Sequence, residues 1–217
     1  MNAARVAWVV AGYLVGSFPT AYVVSRARGA PAVIAASQRR SSDADAHIVM
    51  ETHLGAKWAA LAITIDVLKG LGFALAARFL GDLPPGWLAT ACVAVMVGYT
   101  FPPYARDMAG RGIATGSGVT LAVMPVAMAI GGAIILAGNL LKHTGPASTV
   151  GFAQVPVTAW LLGEPRALVR MGVAIFVVIL LRRLVGVSEA AESSTWPRAL
   201  YRRLLFDADR PSGAAGF

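Results

Sequence analysis

Three stretches of this 217-residue chain hold residue types able to do chemistry. The first reads Gly110-Arg111-Gly112-Ile113-Ala114-Thr115-Gly116-Ser117-Gly118. Glycines, hydroxyls and an arginine at a helix start suit an anion. The backbone can approach closely, free amide N–H groups point outward, and the helix dipole favours negative charge. Arg111, Thr115 and Ser117 are therefore candidate phosphate contacts. For Gly116 and Gly118 close helix packing is the alternative, because small residues let membrane helices approach; packing does not require Arg111.

The second stretch holds Asp66 and Lys69 inside an otherwise apolar block. Ionisable groups at membrane depth are expensive and mark functional interiors. Three residues apart, these two share a helix face and can pair. Lys69 is a candidate phosphate contact and Asp66 its support; a salt bridge that only holds the helices is the alternative. The third stretch runs Arg39-Arg40-Ser41-Ser42-Asp43-Ala44-Asp45-Ala46-His47, with Glu51 and His53 beyond. Carboxylates and histidines are metal-ligand types, and in a helix His47 and Glu51 would share a face that excludes His53. A solvated loop is the bland alternative and the one adopted, so no metal and no cofactor is expected. Together the stretches describe a basic pocket suited to phosphate, facing the cytoplasm and within reach of lipid.

The elements that must position these residues are apolar helices. Hydrophobic residues make up 57% of the chain, charged residues only 14%, and the mean hydropathy is +0.64. The apolar residues fall in long blocks broken by short polar joints, unlike the short periods of soluble domains. Val6 to Val24 and Ile113 to Leu141 reach the roughly 20 residues a helix needs to cross a bilayer. Backbone polar groups in hydrocarbon must be bonded within their own segment, so the blocks are helices. The expected fold is an all-α polytopic transmembrane bundle over residues 1–187, with a basic cytoplasmic tail at 188–217. The lone cysteine, Cys92, sits in an apolar block and says nothing about compartment. The first apolar run continues to Val24 without a small-residue cleavage site, so it reads as a retained helix.

Charge sets the topology. Arg26, Arg28, Arg39, Arg40 and Lys57 follow the first block, Arg106 and Arg111 the third, and Arg182, Arg183, Arg198, Arg202, Arg203 and Arg210 close the chain. The turn Gly81-Asp82-Leu83-Pro84-Pro85-Gly86 has no Lys or Arg. Lys and Arg gather in cytoplasmic loops, and this pattern is consistent only if the Ile113–Leu141 stretch is split near Pro125. Proline cannot continue a helix without losing a hydrogen bond. The outcome is about seven spans, one of them a short helix at about 112–124, with the amino terminus outside and the carboxyl terminus cytoplasmic. Arg166 and Arg170 are left on the outer side. In the tail, Trp196, Leu200, Leu204 and Leu205 against Arg198, Arg202 and Arg203 make a short amphipathic helix suited to an anionic leaflet; a solvated tail is the alternative. Basic loops of a membrane protein account for the charge, so nucleic acid is not an expected partner.

These residues resemble the PlsY family, bacterial membrane glycerol-3-phosphate acyltransferases that use acyl phosphate as donor. Gly16-Ser17-Phe18-Pro19-Thr20-Ala21-Tyr22 is similar to its Gly-Ser-Ile-Pro-(Thr/Phe)-(Ala/Gly)-Tyr. Leu54-Gly55-Ala56-Lys57 and Asp66-Val67-Leu68-Lys69-Gly70 match Leu-Gly-x-Lys and Asp-x-x-Lys-Gly. Gly98-Tyr99-Thr100-Phe101-Pro102 and Gly110-Arg111-Gly112-Ile113-Ala114-Thr115 look like Gly-His-x-Phe-Pro and Gly-Lys-Gly-Val-Ala-Thr. The resemblance implies a seven-span fold in the bacterial plasma membrane, phospholipid synthesis as the process, and acyl phosphate and glycerol 3-phosphate as anionic substrates. On that reading Ser42 is catalytic and orients a phosphate. Arg39, Arg40, Lys69 and Arg111 hold phosphates with Thr115 and Ser117, and Asp66 and Tyr99 support them.

The departures fall on the family's functional positions. Its phosphate loop, Gly-Ser-Gly-Asn-x-Gly-Ala-Thr-Asn, aligns with Ser41 to Val49, where only the serine survives, as Ser42. Tyr99 replaces a histidine and Arg111 a lysine, and the family's His-Arg-x-Asn falls on the apolar Val177 to Leu180. Two functions stay open. Acyl phosphate is an activated anhydride whose leaving phosphate can accept a proton, so holding two anions together could supply much of the rate without a protein base. Alternatively the chain is a catalytically inactive homologue, serving as a membrane protein partner or lipid-binding subunit.

Overall fold

The computed structural model describes residues 2–30, 46–103, 110–141, 143–184 and 196–197. Among them the chain forms α1 (Asn2–Gly16), α2 (Thr20–Ala27), α3 (Ala46–Leu54), α4 (Ala56–Phe79), α5 (Pro85–Thr100), α6 (Ile113–Val123), α7 (Pro125–Leu140), α8 (Thr144–Leu161) and α9 (Arg166–Leu184). The described residues form no strand. Two stretches, Ala3–Ala27 and Ala56–Phe79, are long and apolar enough to cross a membrane on their own, and α5, α6 and α7 are shorter apolar helices.

Breaks in the helices follow from proline and glycine. Between α1 and α2 the chain opens at Ser17-Phe18-Pro19, so the first apolar block is two helices rather than one. Met124 leaves helical geometry at φ −137°, ψ 66°, and Pro125 starts α7. The long apolar stretch is thus divided at the proline, as its charge pattern requires. Proline at a first helical position gives up an N–H that has no intrahelical partner anyway.

Glycines decide which helices touch. A Cβ at Gly16 would strike the Val95 carbonyl and one at Gly98 the Tyr13 carbonyl, so α1 and α5 cross backbone to backbone. Gly70 faces the Thr115 carbonyl and Gly118 the Val67 carbonyl, which joins α4 to α6 in the same reciprocal way. Gly131 and Gly151 do this for α7 and α8. Without a hydrophobic drive between helices in lipid, such close approach is the main source of association. Gly118 is therefore a packing residue, and Gly116 lies against Met96 and Phe152.

The bundle interior is a contiguous apolar core in which Ala91, Cys92, Val95, Met96, Val119, Phe152, Met171 and Ile179 are buried. Its outside is apolar as well: Val10, Leu14, Leu68, Leu136, Trp160 and Leu181 are all exposed. A continuous apolar exterior is what hydrocarbon solvates and water does not. A second small core, with Met50, Ala59, Ala62, Ala21 and Val24, fastens α3 to α2 and α4.

Candidate functional site

Asp66 stands at the centre of a buried polar cluster built by four helices. Its side chain is fully buried on α4. One carboxylate oxygen, Oδ1, accepts from Thr20 Oγ1 at 2.6 Å and pairs with Lys69 Nζ at 2.8 Å. The other, Oδ2, lies 3.1 Å from His47 Nε2 on α3. A carboxylate in a low-dielectric interior is tolerated only when paired and hydrogen-bonded. Here both of its oxygens are occupied.

Lys69 reaches beyond its carboxylate into the break between α1 and α2. Its ammonium donates to the carbonyls of Phe18 at 3.1 Å and Gly16 at 3.5 Å, and to Thr20 Oγ1 at 3.5 Å. The Gly16 carbonyl is available because the chain leaves helical geometry there: the Thr20 amide bonds the Phe18 carbonyl instead, and that carbonyl accepts from Lys69 as well. Proline at 19 cannot donate to the preceding turn. Lys69 also lies 4.9 Å from the centroid of the Tyr99 ring, a cation–π contact. A narrow cleft of ≈ 10 Å³, room for about one water, is lined here by Gly16 to Ala21, Tyr99 and Pro102. A larger cleft, ≈ 340 Å³, lies toward the other end of α5, between Gly86–Val93 and Ala167–Ala174.

Tyr99 links the cluster to the glycine-rich helix start. A Cβ at Gly110 would stand 2.7 Å from the Tyr99 hydroxyl, so a side chain there would have to displace the ring. Gly112 adopts φ +78° at the amino terminus of α6, a left-handed conformation natural to glycine. Between them Arg111 is 4% exposed. Thr115 is fully buried, and its Oγ1 hydrogen-bonds to none of the described residues. Ser117 is half-buried; two positions from Thr115, it points to a different side of the helix.

The structure thus brings together Asp66, Lys69 and Tyr99, with Arg111 one residue beyond the glycine that abuts Tyr99. Arg39, Arg40 and Ser42 lie outside the described residues, as does the tail except for Trp196 and Pro197. Two members of the cluster were not singled out from sequence. Thr20 belongs to the Gly-Ser-Phe-Pro-Thr segment, whose proline break was the available signal. His47 was weighed only as a metal-ligand type. It faces Asp66, whereas Glu51 and His53 are exposed, and the described residues contain no metal-binding group of His, Cys, Asp or Glu.

Fold and site together define a polytopic helical membrane protein with a buried, charge-paired polar cluster. The glycerol-3-phosphate acyltransferase family model matches residues 6–187, and the chain belongs to that family. Among relatives, the glycerol-3-phosphate acyltransferase of Rubrobacter xylanophilus is 33% identical over 162 residues, 72% of this chain and 76% of that one. Glycerol-3-phosphate acyltransferase 4 of Dehalococcoides mccartyi is 31% identical, over 93% of this chain and 88% of the relative. Two crystal structures of PlsY, an integral membrane glycerol 3-phosphate acyltransferase, have the same fold. The lysophosphatidic acid form aligns with TM-score 0.72 at 21% identity, covering 91% of this chain and 98% of that one. The glycerol 3-phosphate form aligns with TM-score 0.73 at 22% identity, covering 87% and 92%.

Proposed function

We propose that this chain transfers an acyl group from an acyl phosphate to glycerol 3-phosphate, an acylation step of phospholipid synthesis in the plasma membrane. The observation that carries this reading is the Lys69–Asp66 pair set against Tyr99 and the Gly110-Arg111-Gly112 neck. A buried ammonium and a buried guanidinium at a glycine-rich helix start form a receptor for phosphate groups. Family membership supports the same substrate class.

In the proposed reaction the acceptor hydroxyl oxygen attacks the acyl carbonyl carbon, and the carbon–oxygen bond to phosphate breaks. The leaving phosphate takes the electron pair and can take the hydroxyl proton. The protein's task is then to hold two anions in attacking geometry while masking their mutual repulsion. Lys69 and Arg111 hold phosphate oxygens, joined by Arg39, Arg40 and Ser42 from the preceding segment and by Thr115 from α6, whereas Ser117 lies on another side of that helix. Asp66 fixes the Lys69 ammonium, and the Tyr99 ring bounds its other side.

Orientation follows from the basic segments: amino terminus outside, carboxyl terminus cytoplasmic. Reporters active on one side only, fused at Phe217 and at Gly81, should give opposite results; the same side for both contradicts this orientation. The activity is tested with purified protein in lipid, supplied with acyl phosphate and glycerol 3-phosphate. Lysophosphatidic acid should form, and Lys69→Met and Arg111→Ala should each lower turnover about 10²–10³-fold, the usual loss for one donor to a reacting group. No product from the wild type would refute turnover and favour the inactive-partner reading.

A further inference from the structure

His47 occupies a position where the family's phosphate loop, as aligned above, has alanine, and Tyr99 occupies one where the family has histidine. The structure brings these two departures to one ion pair, Tyr99 against its lysine and His47 against its carboxylate. Lys69 lies 4.9 Å from the centroid of the Tyr99 ring, and its carboxylate partner Asp66 receives His47 Nε2 at 3.1 Å. The imidazole is only 12% exposed. Its direction is fixed by α3, because Met50, one helical turn on, is fully buried in the small core with Ala59 and Ala62.

We propose that His47 is a positioning residue of the anion site: its charge acts through Asp66 on Lys69 and sets how tightly the site holds a phosphate group. The inference rests on the phosphate-site reading of Lys69 given above. With a neutral imidazole, Asp66 and Lys69 sum to zero charge, and the carboxylate holds the ammonium alone. With an imidazolium, the same carboxylate is shared between two cations, the cluster carries +1, and the ammonium is released toward an incoming anion. Lys69 can make that exchange because two of its other contacts are long, at 3.5 Å. Anion affinity should therefore rise as pH falls and the His47 imidazole takes up its proton.

Among the described residues, the other charged groups near α3 make contacts elsewhere or are exposed. On α2, Arg26 bonds the Tyr22 hydroxyl and Arg28 covers the Trp58 ring. On α4, Lys57 also approaches Trp58. Glu51 and His53 of α3 are exposed. Among the described residues, Asp66 is the charged group in contact with the imidazole, and Lys69 is reached through it.

The test is anion binding to purified full-length protein in lipid between about pH 5.5 and 8.5. Inorganic sulfate serves as a probe whose own charge stays fixed over that range, and glycerol 3-phosphate is measured in parallel. Sulfate should bind about tenfold more tightly at the acid end, the effect of one added charge at a partly screened site. The dependence should persist in His53→Gln and vanish in His47→Gln, which keeps an N–H donor for Asp66 but cannot take up charge. A flat wild-type profile, or the same slope in His47→Gln, overturns the role of His47 while leaving glycerol 3-phosphate binding to stand or fall separately. Should His47→Gln fail to fold, the wild-type and His53→Gln profiles decide. A turnover rate that falls at low pH through a limb lost in His47→Gln would make the histidine a proton acceptor and overturn the proposal. Binding of neither anion at any pH overturns the phosphate site itself.

Discussion

Lys69 and Arg183 are both buried cations in one apolar bundle, yet their surroundings differ in kind. Arg183, 1% exposed near the end of α9, donates to Thr149 Oγ1 at 2.8 Å, Ser148 Oγ at 2.7 Å and the Gly145 carbonyl at 3.0 Å. All three oxygens belong to the first turns of α8, so the rigid guanidinium fork clamps one helix end to another helix start. Lys69 has one short contact, to Asp66 at 2.8 Å, while three other oxygens stand at 3.1–3.5 Å across a chain break. Long contacts are weak, and an ammonium is a rotatable point charge. The Arg183 arrangement is structural, tying α9 to the start of α8. That of Lys69 is held firmly on one side and loosely on the other, which is what a site needs if it is to trade a protein oxygen for a phosphate oxygen.

Substitutions can break this contrast, and Asp66→Ala should do so most severely. It leaves a buried ammonium without its carboxylate, a loss of about 3–5 kcal/mol for a broken buried pair. Thermal unfolding in lipid should register it, and anion binding should fail. Arg183→Ala ranks next, at about 1–3 kcal/mol for hydroxyls and a carbonyl left without their donor; the protein that remains folded should bind glycerol 3-phosphate normally.

Glycine substitutions sharpen the comparison by loosening the frame instead of the site. Gly118→Ala would push a methyl group into the Val67 carbonyl and should cost about 1–3 kcal/mol through overpacking. Gly72→Ala, with open space around it, should change stability by no more than about 0.5 kcal/mol. The smallest effect belongs to Tyr99→Phe, and Tyr99→Ala is its larger control. Tyr99→Phe keeps the ring over Lys69 and should leave stability and activity nearly unchanged. Tyr99→Ala removes the cation–π contact, worth about 0.5–2 kcal/mol, and also leaves a cavity where the buried ring stood. A large effect of Tyr99→Phe would show that the hydroxyl, rather than the ring, does the work.

Much of the frame was legible from residue types. Apolar blocks gave the helices, Pro125 gave the division between α6 and α7, and the spacing of Asp66 and Lys69 gave their pairing on α4. The break at Ser17-Phe18-Pro19 was missed because hydropathy runs through it without interruption; only the backbone shows that the Gly16 and Phe18 carbonyls turn toward Lys69. His47 was visible as a residue type but not as a partner of Asp66, 19 positions away, because that contact depends on how Met50 packs α3 against α2 and α4. Arg183 counted among the basic residues that close the chain, and its clamp on α8 depends on tertiary packing that no local pattern encodes. For Thr115 and Ser117, helical spacing alone separates their faces, a distinction that grouping them as hydroxyls obscured.

The central claim is that the Lys69 cluster, and not buried positive charge in general, receives the phosphate of the acceptor. Equilibrium binding of radiolabelled glycerol 3-phosphate to wild type, Lys69→Met and Arg183→Met, each in lipid and each shown to be folded, tests it directly. Lys69→Met should lose a charge-assisted contact of roughly 1.5–3 kcal/mol, about 10- to 150-fold in affinity, while Arg183→Met should bind as the wild type does. Equal affinity in wild type and Lys69→Met, or a loss confined to Arg183→Met, would contradict the account.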